Sequence, residues 1–148
     1  MKDWLRNKLF SGIAAVALVS VLLYGVFWLM TRPRAISFET AVKMMKSDKD
    51  CIVVDVRTEQ EYVRGHIPGA ILVPLTQIRR GAGKKVKIAA LPDKAKRYFL
   101  YCHSGRRSDE AAGILASIGY QRIYNLGGIV EWKGKLETGP VNVRKDAE

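Results

Sequence analysis

Cysteine and histidine are scarce in this chain, with two of each among 148 residues, and neither pair recurs at a spacing that gathers ligands. Metal centres of the zinc type need clustered Cys and His, so no metal site is expected. A disulfide framework is excluded too. Cys51 begins one apolar run and Cys102 ends another. If both runs are strands of one parallel sheet, the two residues lie at opposite edges, on the order of 15 Å apart. A bridge needs Cα atoms within about 7 Å, so two free thiols are expected, with Cys51 buried and inert. Acidic residues are also in short supply, 14 Asp and Glu against 25 Lys and Arg, for a net charge of +11. That balance favours anionic partners: nucleic acid, anionic lipid or small oxyanions. The lysines carry no interleaved aromatic platform, which argues against nucleic acid. No glycine-rich phosphate loop of the Walker or dinucleotide type occurs, and no cofactor is implied.

What is present first is apolar length. Residues 9–30, LFSGIAAVALVSVLLYGVFWLM, run without a charge, and as a helix would span roughly 33 Å against a hydrocarbon core of about 30 Å. They are expected to form a single transmembrane helix behind a basic tail, 1–8. A cleaved signal peptide is the competing reading, given Lys2, Arg6 and Lys8 ahead of the run. The long uncharged continuation and Tyr24, Phe27 and Trp28 at its far end favour an anchor. Basic residues flank both ends, so the expected orientation, a cytoplasmic N-terminus with the domain outside the cell membrane, rests on the charge of the amino terminus.

Beyond a linker, 31–35, a domain is expected over 36–138, followed by a polar tail, 139–148. Ser37 caps a helix with Phe38, Ala41, Val42 and Met45 on one face. The run 51–56 is β-branched and almost wholly apolar, as in a strand buried on both faces. Thr58 to Glu61 reads as a capping box opening a short helix that Gly65 ends. A second strand is expected at 70–73, closed by Pro74. The basic stretch 79–96 offers only one or two helical turns near 86–91. A third strand covers 98–102 and a helix 108–118, stopped by Gly119. A fourth strand covers 122–124, and Gly127 and Gly128 precede a last helix through Trp132. Strands alternating with helices imply a parallel α/β sheet covered on both faces.

In such sheets ligands bind beyond the carboxyl ends of the strands, where loops lead into helix N-termini. Cys102 stands at such an end, followed by His103, Ser104, Gly105, Arg106, Arg107 and Ser108. Unpaired N–H groups and the helix dipole would hold an anion there and ease ionisation of a thiol. Gly105 permits a tight turn, and the arginines add positive charge. A lone cysteine after a strand can be a buried structural residue; the combination makes Cys102 a candidate nucleophile. Asp55 and Arg57, two apart at the end of their strand, share one face; a local salt bridge or helix cap is an equal reading for them. His66 sits in a turn already explained by Pro68 and Gly69, and is read as structural.

These residues resemble the rhodanese-like sulfurtransferases. The likeness rests on Val53-Val54-Asp55-Val56-Arg57 with Glu61-Tyr62 and Gly65 to Ala70, on the loop from Cys102 to Ser108, and on Asn125 to Gly128 with Trp132. It covers roughly residues 36–135 and leaves out the apolar run. The resemblance implies a parallel five-stranded sheet with helices on both faces. It also implies a Cys102 persulfide cycle, in which sulfane sulfur passes from thiosulfate or a similar small anionic donor to a thiol or cyanide-like acceptor. Residues 103–108 would bind the substrate, with Arg107 pointing inward and Arg106 equally open to a solvated role, while Asp55 and Arg57 would support the loop. A cysteine phosphatase or arsenate reductase is the enzymatic rival, but such enzymes place five residues between cysteine and arginine and this chain has four. A membrane-tethered binding or sulfur-carrier module is the non-enzymatic one. An acceptor protein is not identified by the sequence.

Overall fold

The computed structural model describes residues 16–26, 33–48, 50–83 and 88–141. The chain divides into two compact units, Met1–Arg32 and Pro33–Glu148. In the first, residues 16–26 are helical (α1) and exposed. Among the described residues no helix is long and apolar enough to cross a membrane. The predicted span 9–30 runs beyond the described residues at both ends, and the predicted tail 1–8 lies outside them.

The second unit is built on a five-stranded, wholly parallel sheet in the order β1-β5-β4-β2-β3. The strands are β1 Arg34–Ala35, β2 Cys51–Asp55, β3 Ile71–Leu72, β4 Arg97–Cys102 and β5 Arg122–Gly128. The helices are α2 Phe38–Ser47, α3 Glu59–Arg64, α4 Leu75–Gly83 and α5 Arg106–Ser117, with a 3-10 turn at Ile129–Glu131. Side chains alternate across the sheet, as strand geometry demands. Val54, Tyr98, Leu100 and Cys102 face the core shared with α4 and α5. Val53, Phe99 and Tyr101 face the core shared with α2 and α3. Helices therefore cover both faces, as expected.

Caps set the helix starts. Ser37 Oγ accepts the Thr40 N–H at the head of α2, and the Thr58–Glu61 capping box opens α3 with both reciprocal bonds formed. Other boundaries differ from the sequence reading. Arg34 and Ala35, read as linker, pair with Tyr124 and Asn125 as the edge strand β1. The fourth strand runs to Gly128 instead of ending at Tyr124, and the expected last helix is only a three-residue 3-10 turn. Gly127 and Gly128 thus belong to the sheet. At the other end, the N–H of Gly139 donates to Val63 O and Val141 packs on the α2–α3 core, which draws 139–141 into the domain.

The basic stretch also folds differently. Its helix is α4, at Leu75–Gly83; the predicted turns near 86–91 begin within 84–87, which lie outside the described residues, and in the described part Leu91 N–H closes a tight turn on Ile88 O at 2.8 Å. Pro74, read as closing a strand, instead heads this helix, with its carbonyl accepting the Ile78 N–H. A missing N–H costs nothing at a helix start. Gly81 and Gly83 obscured the pattern by their low helix propensity, while Leu75 and Ile78, one turn apart, supply the buried face.

Candidate active site

Cys102 is the last residue of β4, and α5 begins four residues later at Arg106. Between them Gly105 takes a left-handed conformation, φ +97°. A side chain there would be strained, and its Cβ would meet Gly127 Cα at 3.4 Å. This turn points the loop's N–H groups inward. Gly105 N–H donates to Cys102 Sγ at 3.1 Å. Buried Ser108 places its hydroxyl 3.7 Å from the same sulfur, 2.9 Å from Gly105 O and 3.3 Å from Gly127 O. The thiol is 1% exposed. That burial pushes its pKa up, but the N–H of Ser108, the Ser108 hydroxyl and the N–H groups of Ser104 and Gly105 outweigh it and bring the thiol below its ordinary value.

Arg107 is the cation nearest in role. It forks onto Glu61, Nη1 to Oε2 at 2.8 Å and Nη2 to Oε1 at 2.7 Å, and its guanidinium also interacts with the Cys102 sulfur. The bidentate geometry is the strong form of such a pair. It pulls Glu61 down to about 2, with the Thr58 capping bonds adding to the effect and partial burial opposing it. One carboxylate thus starts α3 and aims Arg107. The loop is also held from below by β5, where a β-bulge between Leu100 and Tyr101 shifts the register so that Cys102 pairs with Gly128. A Cβ on Gly128 would fall 2.6 Å from His103 O and 2.9 Å from Ser104 Cα. Only glycine lets the strand approach that closely.

The structure therefore brings together Cys102, Ser104, Gly105, Arg107 and Ser108; His103, Ser104 and Arg106 have exposed side chains, Ser104 turning its backbone N–H onto the sulfur. Asp55 and Arg57 form a buried ion pair, with Arg57 Nη2 2.7 Å from Asp55 Oδ2 and 2.6 Å from Gly65 O. Their hydrogen bonds go to the end of α3 and not to the loop, so any support reaches it through α3 and Glu61. His66 stacks on Tyr62 at 3.7 Å with Nδ1 3.0 Å from Tyr62 O, a structural placement. Both cysteines are free, but Cys51 is only half-buried, where full burial was expected. As the first residue of its strand it meets Arg97 Nη1 at 3.9 Å in place of a closed core. Desolvation still raises its thiol pKa.

Two contributors were not singled out as site residues from the sequence. Glu61 was read as a cap and as part of a resemblance, and nothing local announces its second bond to Arg107. Gly128 belongs to the same resemblance and reads otherwise as a helix lead-in. A paired glycine opposite a loop is a signal for close backbone approach.

Residues 37–135 match the family model described as the rhodanese-like domain. A thiosulfate sulfurtransferase of Escherichia coli is 39% identical over 77 residues, 51% of this chain and 68% of that protein. A putative sulfur carrier protein of Bacillus subtilis is 32% identical over 103 residues, 69% of this chain; the match spans about half, 52%, of that relative's length. Among solved structures, a rhodanese with anions from E. coli superposes with a TM-score of 0.51 at 31% identity, over 60% of this chain and 99% of that one.

Proposed function

The chain belongs to the rhodanese-like domain family, and on that premise we propose that it is a sulfurtransferase working through a Cys102 persulfide. One observation carries the reading: a buried thiol lowered below its ordinary pKa by a ring of inward N–H groups, with Arg107 beside it. The Cys102 thiolate attacks the outer sulfur of thiosulfate. The S–S bond of the donor breaks, sulfite leaves with the electron pair, and the sulfur stays on Cys102 as a persulfide. The N–H groups of Ser104, Gly105 and Ser108 that face the thiolate then face the persulfide's negative charge, in the manner of an oxyanion hole. The sulfur of an acceptor nucleophile attacks the outer persulfide sulfur and regenerates the thiolate. Four residues between Cys102 and Arg107 make a smaller cradle than phosphoryl transfer uses, which favours a sulfur-centred substrate.

Residues 9–30 anchor this domain in the cell membrane in this reading, with the N-terminus cytoplasmic and the domain outside. The support is the uncharged run and its terminal aromatic residues. A sulfur-carrier module without turnover is the second reading, favoured by the carrier name of the Bacillus relative. Mass spectrometry of the full-length chain after thiosulfate, beside Cys102→Ser, tests the first: one sulfur is gained by the wild type alone. Gain in neither leaves a binding module. Catalytic consumption of thiosulfate with a thiol acceptor separates enzyme from carrier. Labelling of Cys102 in intact cells by an impermeant thiol reagent tests the orientation, and protection of that thiol until lysis refutes it.

A further inference from the structure

Across the sheet from α5, the domain carries a groove that the sulfur chemistry does not use. It measures about 790 Å³ and runs along the outer side of α2 to the segment that follows the 3-10 turn. Buried Phe38 and half-buried Val42 and Trp132 give it an apolar floor, and exposed Lys43, Lys46 and Lys133 its rim. The floor is built in advance. The Trp132 ring meets Phe38 edge-on at 5.4 Å, and its Nε1–H donates to Lys135 O at 3.2 Å. Gly134 lies so close against that ring that a Cβ there would fall 2.6 Å from Cζ2.

None of the three lysines makes an ion pair among the described residues. Two carboxylates also line the groove, but both have other surroundings. Glu39 sits in the first turn of α2, at the positive end of the helix dipole, and Glu131 Oε1 lies over Gly127, 3.8 Å from where a Cβ would stand. The lysines are left to answer an anion from outside. Their stems can lie along apolar surface while the ammonium groups reach out, and a tryptophan ring settles at the level of lipid headgroups. Sequence distance points the same way. Phe38 follows Met30, the end of the uncharged run, by eight positions, which fully extended reach about 28 Å.

We propose that the groove along α2 is a docking surface for anionic phospholipid, with Lys43, Lys46 and Lys133 on lipid phosphates and Trp132 among the headgroups. For its nearness to a bilayer the proposal rests on the anchoring reading above. A domain seated this way turns α4 and α5, which cover the other face of the sheet, away from the lipid.

The test uses the full-length chain with Trp4→Phe and Trp28→Phe, which leaves Trp132 as the single indole. The chain is reconstituted into vesicles of phosphatidylcholine, alone or mixed with phosphatidylglycerol, each doped with a phosphatidylcholine spin-labelled on its headgroup. Trp132 fluorescence is expected to be quenched more strongly in the mixed vesicles, and the excess to fade at high salt. Lys43→Gln, Lys46→Gln and Lys133→Gln should each lower the ratio of docked to free domain about fivefold, the loss of one lysine near an anionic surface. Arg80→Gln, an exposed position on α4 across the sheet, should leave that ratio unchanged. An equal fall in Arg80→Gln overturns the proposal, since total charge would then be acting. Equal quenching in both kinds of vesicle also overturns it, and quenching in neither does so while leaving the groove to a protein or a second copy. An alkaline carbonate wash of the same vesicles reads the anchor separately. Release of the chain sinks the anchoring reading alone, because quenching in the unwashed mixed vesicles still decides the groove.

Discussion

The sheet carries a cysteine, an arginine and a carboxylate at each of its two edges. At the amino edge stand Cys51, Arg97 and Asp48, with Arg97 Nη1 2.7 Å from Asp48 Oδ2 and 3.9 Å from the sulfur. At the carboxyl edge stand Cys102, Arg107 and Glu61. The charged groups are alike, yet the Cys51 thiol is raised and the more deeply buried Cys102 thiol is lowered. Neighbouring charge is not the leading cause of the difference. At the carboxyl edge the backbone of Ser104, Gly105 and Ser108 turns its N–H groups onto the sulfur. At the amino edge no backbone N–H among the described residues donates to the Cys51 sulfur, and Asp48 and Asp50 push the thiol further up behind the dominant effect of burial. Oriented peptide dipoles, fixed by one left-handed glycine and a helix start, favour the ionised form of one thiol.

Breaking this contrast at the sulfur has the largest effect. Cys102→Ser should lower thiosulfate-dependent sulfur transfer by at least about a thousandfold, while Cys51→Ser retains the wild-type rate within about twofold; cyanide or thiol turnover assays read both. Next is the backbone cradle. Gly128→Ala forces a methyl against His103 O and Ser104 Cα. It should cost about 1–3 kcal/mol of stability as overpacking and about a hundredfold in rate through a displaced loop, measured by denaturant titration and steady-state kinetics. Smaller again is the charge partner. Glu61 is lowered from its ordinary 4.5 to about 2, so its stabilising effect is complete above about 4.5 and vanishes as pH falls towards 2. Wild type should exceed Glu61→Gln by about 2 kcal/mol at neutral pH, a figure discounted for partial exposure, and the two unfolding curves should converge at the acid end. The smallest effect is expected at the other edge, where Arg97→Gln should raise the Cys51 titration further, because one lowering hydrogen bond is lost. Alkylation against pH reads that shift, with sulfur transfer unchanged.

Much of this was legible in the residues because local rules and the fold agree. The nearly all-apolar, β-branched and aromatic runs around Val54 and Leu100 fit short strands covered on both faces, and Ser37 and Thr58 announce the helices they cap. The loop from Cys102 to Ser108 was legible as a thiol-bearing turn at a helix start. The elements that were misread depend on distant partners. Arg34 and Ala35 are a strand only because β5 lies alongside. Pro74 is a strand stop or a helix start depending on where Leu75 and Ile78 find a core. Glu61 looks complete as a cap, and its bond to Arg107, forty-six positions away, has no local signature. Gly128 shows its purpose only when His103 is laid across it.

Glu61 accepts from the Thr58 N–H and hydroxyl as well as from Arg107. The first turn of α3 and the loop from Cys102 to Ser108 are therefore mechanically one joint. A ligand that draws Arg107 towards itself must slacken the cap, and one that neutralises the loop without moving Arg107 leaves it tight. Amide hydrogen exchange at Thr58 and Glu61 should then act as a remote gauge of what sits on Cys102, readable without a chromophore or a label at the site itself.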